Sequence, residues 1–111
     1  GSKILILGLA YKKNVDDLRE SPSLEIMKSL IEQGSIVSFS DPFLENIPLT
    51  RRFDIDVSSI AINEETIKDF DLVLLATDHD DFDYDLIERE SKILVDTRGK
   101  FANSNPKVIK A

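Results

Sequence analysis

The chain has 111 residues, enough for a single domain around one hydrophobic core, and its 41% apolar content fits a folded globular protein rather than a disordered one. No apolar run approaches the roughly 20 residues that span a bilayer. A formal charge of -7 without an offsetting basic stretch excludes nucleic acid and anionic membrane as partners, and the absence of cysteine excludes disulfides, thiolate metal sites and a cysteine nucleophile within the chain.

Gly1-Ser2 reads as a scar of protease cleavage, which places one domain over residues 3–111. The remaining sequence opens directly inside a strand, so a longer parent polypeptide is expected, and with no signal-peptide pattern the expected setting is cytoplasmic. Lys3 to Leu9, KILILGL, is a short apolar run suited to a buried parallel strand. A polar stretch from Tyr11 to Glu20 follows. Ser21-Pro22 then supplies an N-cap and a first-turn proline, Leu24, Met27, Leu30 and Ile31 keep helical spacing, and Gly34 provides the stop.

Ser35 to Ser40, SIVSFS, predicts a second strand closed by Asp41-Pro42. Phe43 to Asp56 has no clean period and reads as loop, with a short strand possible over Val57–Ile62. Asn63 caps a short helix reaching about Phe70, with Glu64 and Glu65 favourably placed in its first turn. Leu72 to Ala76, LVLLA, is the most apolar strand. Asp83 to Glu90 predicts a helix and Lys92 to Asp96, KILVD, the last strand, followed by a polar tail over Asn103–Ala111 expected to be loosely held. Strand and helix alternate throughout, which predicts an α/β, Rossmann-like three-layer sandwich with a mostly parallel sheet and helices on both faces.

Ligands of such sheets bind beyond the carboxyl ends of the strands, near the point where strand order reverses. The segments past those ends are Tyr11-Lys12-Lys13, Asp41-Pro42, Thr77-Asp78-His79, and Thr97-Arg98 with Lys100. Two of the four are basic within an acidic chain, which is what an anionic ligand needs. A dinucleotide does not fit the first of them. The G-x-G-x-x-G fingerprint is missing, only Gly8 is present, and more than ten residues separate it from Pro22. His79 stands among Asp78, Asp80 and Asp81 without metal-ligand spacing or a nucleophile beside it, and acid enrichment ahead of a helix N-terminus accounts for the stretch. Arg19 among Asp16, Asp17 and Glu20 reads as an ion pair fixing the loop, while Tyr11 suits packing and ligand contact equally.

Gly8 to Ser23, GLAYKKNVDDLRESPS, strongly resembles the start of the C-terminal domain of the UDP-glucose/GDP-mannose dehydrogenase family, with its aromatic-Lys pair (Tyr11-Lys12) and Asp-x-Arg-x-Ser-Pro element (Asp17, Arg19, Ser21, Pro22). ATDHDDFD over Ala76–Asp83 and ILVDTRGK over Ile93–Lys100 resemble two further family segments in the same order. The resemblance implies a UDP-sugar-binding domain of an NAD-dependent nucleotide-sugar 6-dehydrogenase, which oxidises a sugar CH2OH to a carboxylate in two hydride transfers. It implies substrate contacts from Tyr11, Lys12 and Arg98. It also implies that NAD belongs to an N-terminal domain of the same polypeptide and the cysteine nucleophile to sequence ahead of the C-terminal domain, that the full-length protein is a homodimer, and that the chain alone is inactive. AYKKNVDDLRESPSLEIM with SDPFLENIP looks most like the branch acting on UDP-N-acetylhexosamines such as UDP-N-acetylglucosamine and UDP-N-acetylmannosamine.

A freestanding nucleotide-binding or regulatory domain of the same fold is the alternative. A phosphoacceptor receiver domain fits poorly, because Tyr11-Lys12-Lys13 stands where an acidic pair should follow the first strand.

Overall fold

The computed structural model describes residues 2–9, 22–44, 58–101 and 106–110. Its elements run β1 (Lys3–Leu7), α1 (Pro22–Glu32), β2 (Ile36–Ser40), α2 (Glu64–Lys68), β3 (Leu72–Leu75), α3 (Tyr84–Glu90), β4 (Leu94–Asp96) and β5 (Val108–Lys110). The five strands form one sheet in the order β2-β1-β3-β4-β5, and every pairing is parallel. The expected Rossmann-like α/β sandwich is therefore the observed one.

Alternation along β1 sets the layers. Ile4 and Ile6 join Leu24 and Met27 of α1 with Val37 and Phe39 of β2 on one face of the sheet. Leu5 and Leu7 join Ile67 of α2, Ile87 of α3, Val73, Leu75 and Leu94 on the other. Both faces of β1 are thus covered, which is why its sequence reads as an unbroken apolar run.

Local chemistry ends the helices where the sequence indicates. Asn63 and Thr66 form a reciprocal capping box at α2, and the Asp83 carboxylate accepts the Leu86 amide at the start of α3. Gly34 takes φ +93° after α1, a conformation open to glycine.

Two expectations are corrected. The tail beyond Asn103 is not loose over its last residues: Val108–Lys110 form β5, pairing in parallel with β4. The strand is short and lies at an edge, with Ile109 half exposed, so it carries little of the apolar alternation by which a strand is read. Of the strand considered over Val57–Ile62, Val57 lies outside the described residues, and the described remainder forms isolated bridging at Ser58 and Ser59, with Ser59 paired to Phe39, rather than a strand.

The first strand leaves the sheet at Gly8, with φ +85° and Thr77 directly against it. A Cβ built there would stand 2.6 Å from the Thr77 Cβ and 2.7 Å from its carbonyl oxygen, closer than packed atoms tolerate. Gly8→Ala therefore combines left-handed backbone strain with a clash against backbone, and the expected loss is at least about 2 kcal/mol. Urea unfolding of the two proteins measures it; a difference below about 0.5 kcal/mol, typical of a neutral surface change, would contradict the packing described.

Candidate functional site

The first connection runs from β1 outward to β2, and the next crosses back to β3, so strand order reverses between β1 and β3. At that point the strand ends are stitched together. The amides of Ala76 and Thr77 both donate to Leu7 O, at 3.0 and 3.2 Å, and Gly8 packs on Thr77. Beyond β4, the Thr97 hydroxyl donates to Leu75 O at 2.7 Å.

Arg98 follows Thr97 and turns back over β3, where its Nε donates to Ala76 O at 2.8 Å. That single bond carries the guanidinium from the end of β4 to the strand bordering the switch point. Among the described residues its terminal nitrogens have no partner, which leaves two donor groups in a fixed plane for an incoming acceptor. Lys100, grouped with Arg98 by its place in the sequence, instead lies over the Tyr84 ring at 4.9 Å.

Tyr11 and Lys12 lie outside the described residues, as do Lys13, Arg19 and the N-cap Ser21. The described chain ahead of them ends at Leu9, which is fully buried. β1 itself lies beside β3, whose end Arg98 reaches.

Two buried carboxylates fix these exits, and sequence inspection passed over both roles. Asp41, just past β2, accepts the Leu9 amide at 2.8 Å on Oδ2 and the Phe43 amide at 2.8 Å on Oδ1. His79 Nε2 also donates to Oδ2 at 3.0 Å, and neither side chain is exposed to solvent. The imidazole stands between the rings of Phe43 and Phe82, with centroids 5.0 and 5.6 Å away. His79 is therefore a core residue joining the ends of β2 and β3, while the acids that follow it do lead into a helix N-terminus, with Asp83 as the N-cap of α3 and Asp85 in its first turn. The usable signal was an Asp closing one strand and a lone His just past another; their pairing spans 38 positions and has no local signature.

Asp96, the last residue of β4, is the second carboxylate. It accepts the amides of Arg98 and Phe101, each at 2.9 Å, and Lys110 Nζ of β5 at 2.7 Å. The three bonds fold residues 97–101 into a closed turn, with Gly99 at φ +68° allowing the reversal.

A cavity of about 580 Å³ opens past β2, walled by Phe43, Leu44, Ile60, Phe82, Asp81 and Asp83. Arg98 does not line it, and its described wall holds acids but no cation, so it offers an anion nothing. After β1 the described Gly8 is pressed against Thr77, and the G-x-G-x-x-G spacing is absent from the sequence that follows. At the crest of β3 the Arg98 guanidinium offers donors to an anion.

Residues 5–103 match the family described as "UDP-glucose/GDP-mannose dehydrogenase family, UDP binding domain". A UDP-N-acetyl-D-mannosamine dehydrogenase of Methanococcus maripaludis is 38% identical over 104 residues, which cover 86% of this chain and 22% of the relative. An NDP-N-acetyl-D-galactosaminuronic acid dehydrogenase of Ralstonia solanacearum is 31% identical over 101 residues, covering 89% of this chain and 23% of the relative. Among solved structures, a UDP-N-acetyl-mannosamine dehydrogenase from S. aureus superposes with a TM-score of 0.70 at 25% identity, over 99% of this chain and 26% of that one. The chain thus spans about a quarter of the length of the proteins it matches.

The two carboxylates give folding a defined pH dependence. Burial pushes the Asp41 carboxyl up, but the His79 hydrogen bond and the amides of Phe43 and Leu9 outweigh it and hold the group below its ordinary value. Burial pushes Asp96 up as well, and Lys110 with the amides of Phe101 and Arg98 again brings it below. Groups with a depressed folded pKa contribute stability that is complete above the unfolded value near 3.8 and is lost as pH falls through the folded one. Urea unfolding between about pH 6 and about pH 3 should show stability declining as acid is added, and Asp96→Asn should flatten that decline. An unchanged slope in the variant would contradict this assignment.

Proposed function

The chain belongs to the UDP-glucose/GDP-mannose dehydrogenase family as its UDP-binding domain, and from that premise we propose that it forms the C-terminal, substrate-gripping wall of an NAD-dependent UDP-sugar 6-dehydrogenase. The observation that carries the reading is the reach of Arg98 from the end of β4 to the crest of β3, beside the switch point, with its terminal nitrogens unengaged among the described residues.

In this reading Arg98 holds the UDP diphosphate through its planar donor fork, Lys12 adds a point charge from the segment after β1, and Tyr11 contacts the nucleotide sugar. Their work is to bind and orient; the reacting carbon of the sugar lies toward the remainder of the polypeptide. An acidic chain tolerates an anionic substrate here because the cations stand at the strand ends, where a local positive field outweighs the net charge at short range.

The longer protein would oxidise the sugar CH2OH to a carboxylate in two hydride transfers. NAD would be held by an N-terminal domain, since the G-x-G-x-x-G fingerprint is absent after the first strand of this sequence. Residues 3–111 would form one domain of that protein, which would act as a homodimer in the cytoplasm. A UDP-N-acetylhexosamine is the favoured substrate, supported by the names of relatives such as the Methanococcus maripaludis enzyme and by a likeness that runs through most of the chain. No described helix is long and apolar enough to cross a membrane.

Charge-assisted hydrogen bonds contribute about 1.5–3 kcal/mol each, so Arg98→Ala in the full-length dehydrogenase should raise KM for the nucleotide sugar roughly tenfold to a hundredfold. KM for NAD should stay near the wild-type value, and Arg98→Lys should recover only part of the loss. Steady-state kinetics of Arg98→Ala and Lys12→Ala decide the matter: wild-type KM and kcat in both would remove these residues from the site. The isolated chain should produce no NADH from any UDP-sugar, and production above a buffer control would overturn the division of labour between domains.

A further inference from the structure

β5 buries little. Of its three residues Val108 is half-buried, while Ile109 and Lys110 are exposed, so the strand adds little to the apolar core. Its polar attachments are more specific. In the β4–β5 register Lys110 stands opposite Asp96, and cross-strand partners in a sheet project to the same face. Lys110 Nζ donates to Asp96 Oδ2 at 2.7 Å and also to the carbonyl of Phe101. It thereby holds both ends of the turn at residues 97–101, of which Arg98 is the second residue.

Asp96 could in principle hold that turn unaided through the amides of Arg98 and Phe101. Its carboxylate is however fully buried, and a buried carboxylate without a counter-charge is costly enough to protonate or to draw water. The Lys110 ammonium supplies that counter-charge and keeps the carboxylate ionised as the acceptor of both amides. Among the described residues the guanidinium is tied at one further point, Ala76 O. If the turn slackens, the Nε bond must carry the positioning of the side chain alone.

We propose that Lys110 is a positioning residue for Arg98: from the edge strand it locks Asp96 and the Phe101 carbonyl, and so holds the guanidinium over β3 in the orientation that receives the diphosphate. This rests on the UDP-site proposal above and adds to it a residue that touches no ligand. A one-residue slip of β5 would turn Lys110 to the opposite face and undo the lock, so the register of the strand matters more than its burial.

The test uses the 111-residue chain, with UDP as the probe and two readouts. The first is the 1H–15N heteronuclear NOE of the Arg98 Nε, which reports side-chain order without ligand. The second is the dissociation constant for UDP from chemical-shift titration. Lys110→Met should lower the Nε NOE toward that of a mobile side chain and weaken UDP at least about threefold, a loss of order or of one well-placed donor. Lys110→Arg, which keeps the cation, should restore both. Lys107→Met removes the same charge from a side chain that donates to Arg89 O instead, and should leave the Nε order unchanged.

Retained Nε order in a folded Lys110→Met protein would overturn the inference. So would equal weakening of UDP by Lys107→Met and Lys110→Met, since charge alone would then explain the effect. Should Lys110→Met fail to fold, Lys110→Gln carries the same comparison: it keeps a donor of similar reach but no charge, and loss of Nε order supports the lock while retention refutes it. Arg98→Ala separates this inference from the one beneath it. If that variant binds UDP like the wild type, the UDP-site proposal fails, while the Nε measurement still judges whether Lys110 orders Arg98.

Discussion

Past the last ladder hydrogen bond of a parallel strand, the chain must leave the sheet with its amides paired to something new, often with no water at hand. In this domain two carboxylates meet that demand. Asp41 takes the amides of Leu9 and Phe43, which direct the exits from β1 and β2. Asp96 takes those of Arg98 and Phe101 and folds the exit from β4. Each is buried and each has a nitrogenous partner from another strand end, His79 for the first and Lys110 for the second. The crest of the sheet is built around these two groups, and any ligand meeting it meets loops whose directions they determine.

The arrangement accounts for how an acidic chain can present a cationic site. Most of its carboxylates stand on helices and loop surfaces, where water screens them. The two at the crest have their oxygens engaged by amides and by their own partners, Lys110 supplying a counter-charge to Asp96. Arg98, whose guanidinium is tied among the described residues only through Nε, keeps its other donors unengaged there. Lys100 is drawn aside to Tyr84, whose hydroxyl, raised above its ordinary pKa by burial and by Asp78, Asp80 and Asp96, remains protonated and donates to His79 O. In the proposed site one arginine would carry the grip on this side, so its geometry would matter more than the total of basic residues.

Much of the fold was legible because burial on both faces of a parallel sheet writes itself as continuous apolar runs: KILIL and LVLL fall where the strands are. Asn63 announced its helix through capping, a local interaction, whereas the cap that Asp83 supplies to α3 emerged only in the structure. The position of Arg98 at a strand end was likewise readable from the order of elements. β5 was not, because Val-Ile-Lys at an edge gives no alternation to detect and is fixed by a partner in β4. The Asp41–His79 bond was not, because it joins residues from separate strand ends, and an Asp before Pro reads first as a turn. Tyr11 and Lys12 were singled out from sequence and lie outside the described residues, so the proposal for them rests on motif and on the place of β1 beside β3.

The central claim is that a nucleoside diphosphate meets this domain at the crest of β3, between the exits of β1 and β4. A 1H–15N shift map of the chain titrated with UDP tests it directly. The account predicts the largest changes at Leu9, at Ala76 and Thr77, and from Thr97 to Phe101, including the Arg98 Nε. Changes centred instead on Phe43, Ile60 and Asp81, around the acidic cavity past β2, would contradict it, as would an unchanged spectrum at millimolar UDP, a concentration about where even weak single-wall binding becomes visible.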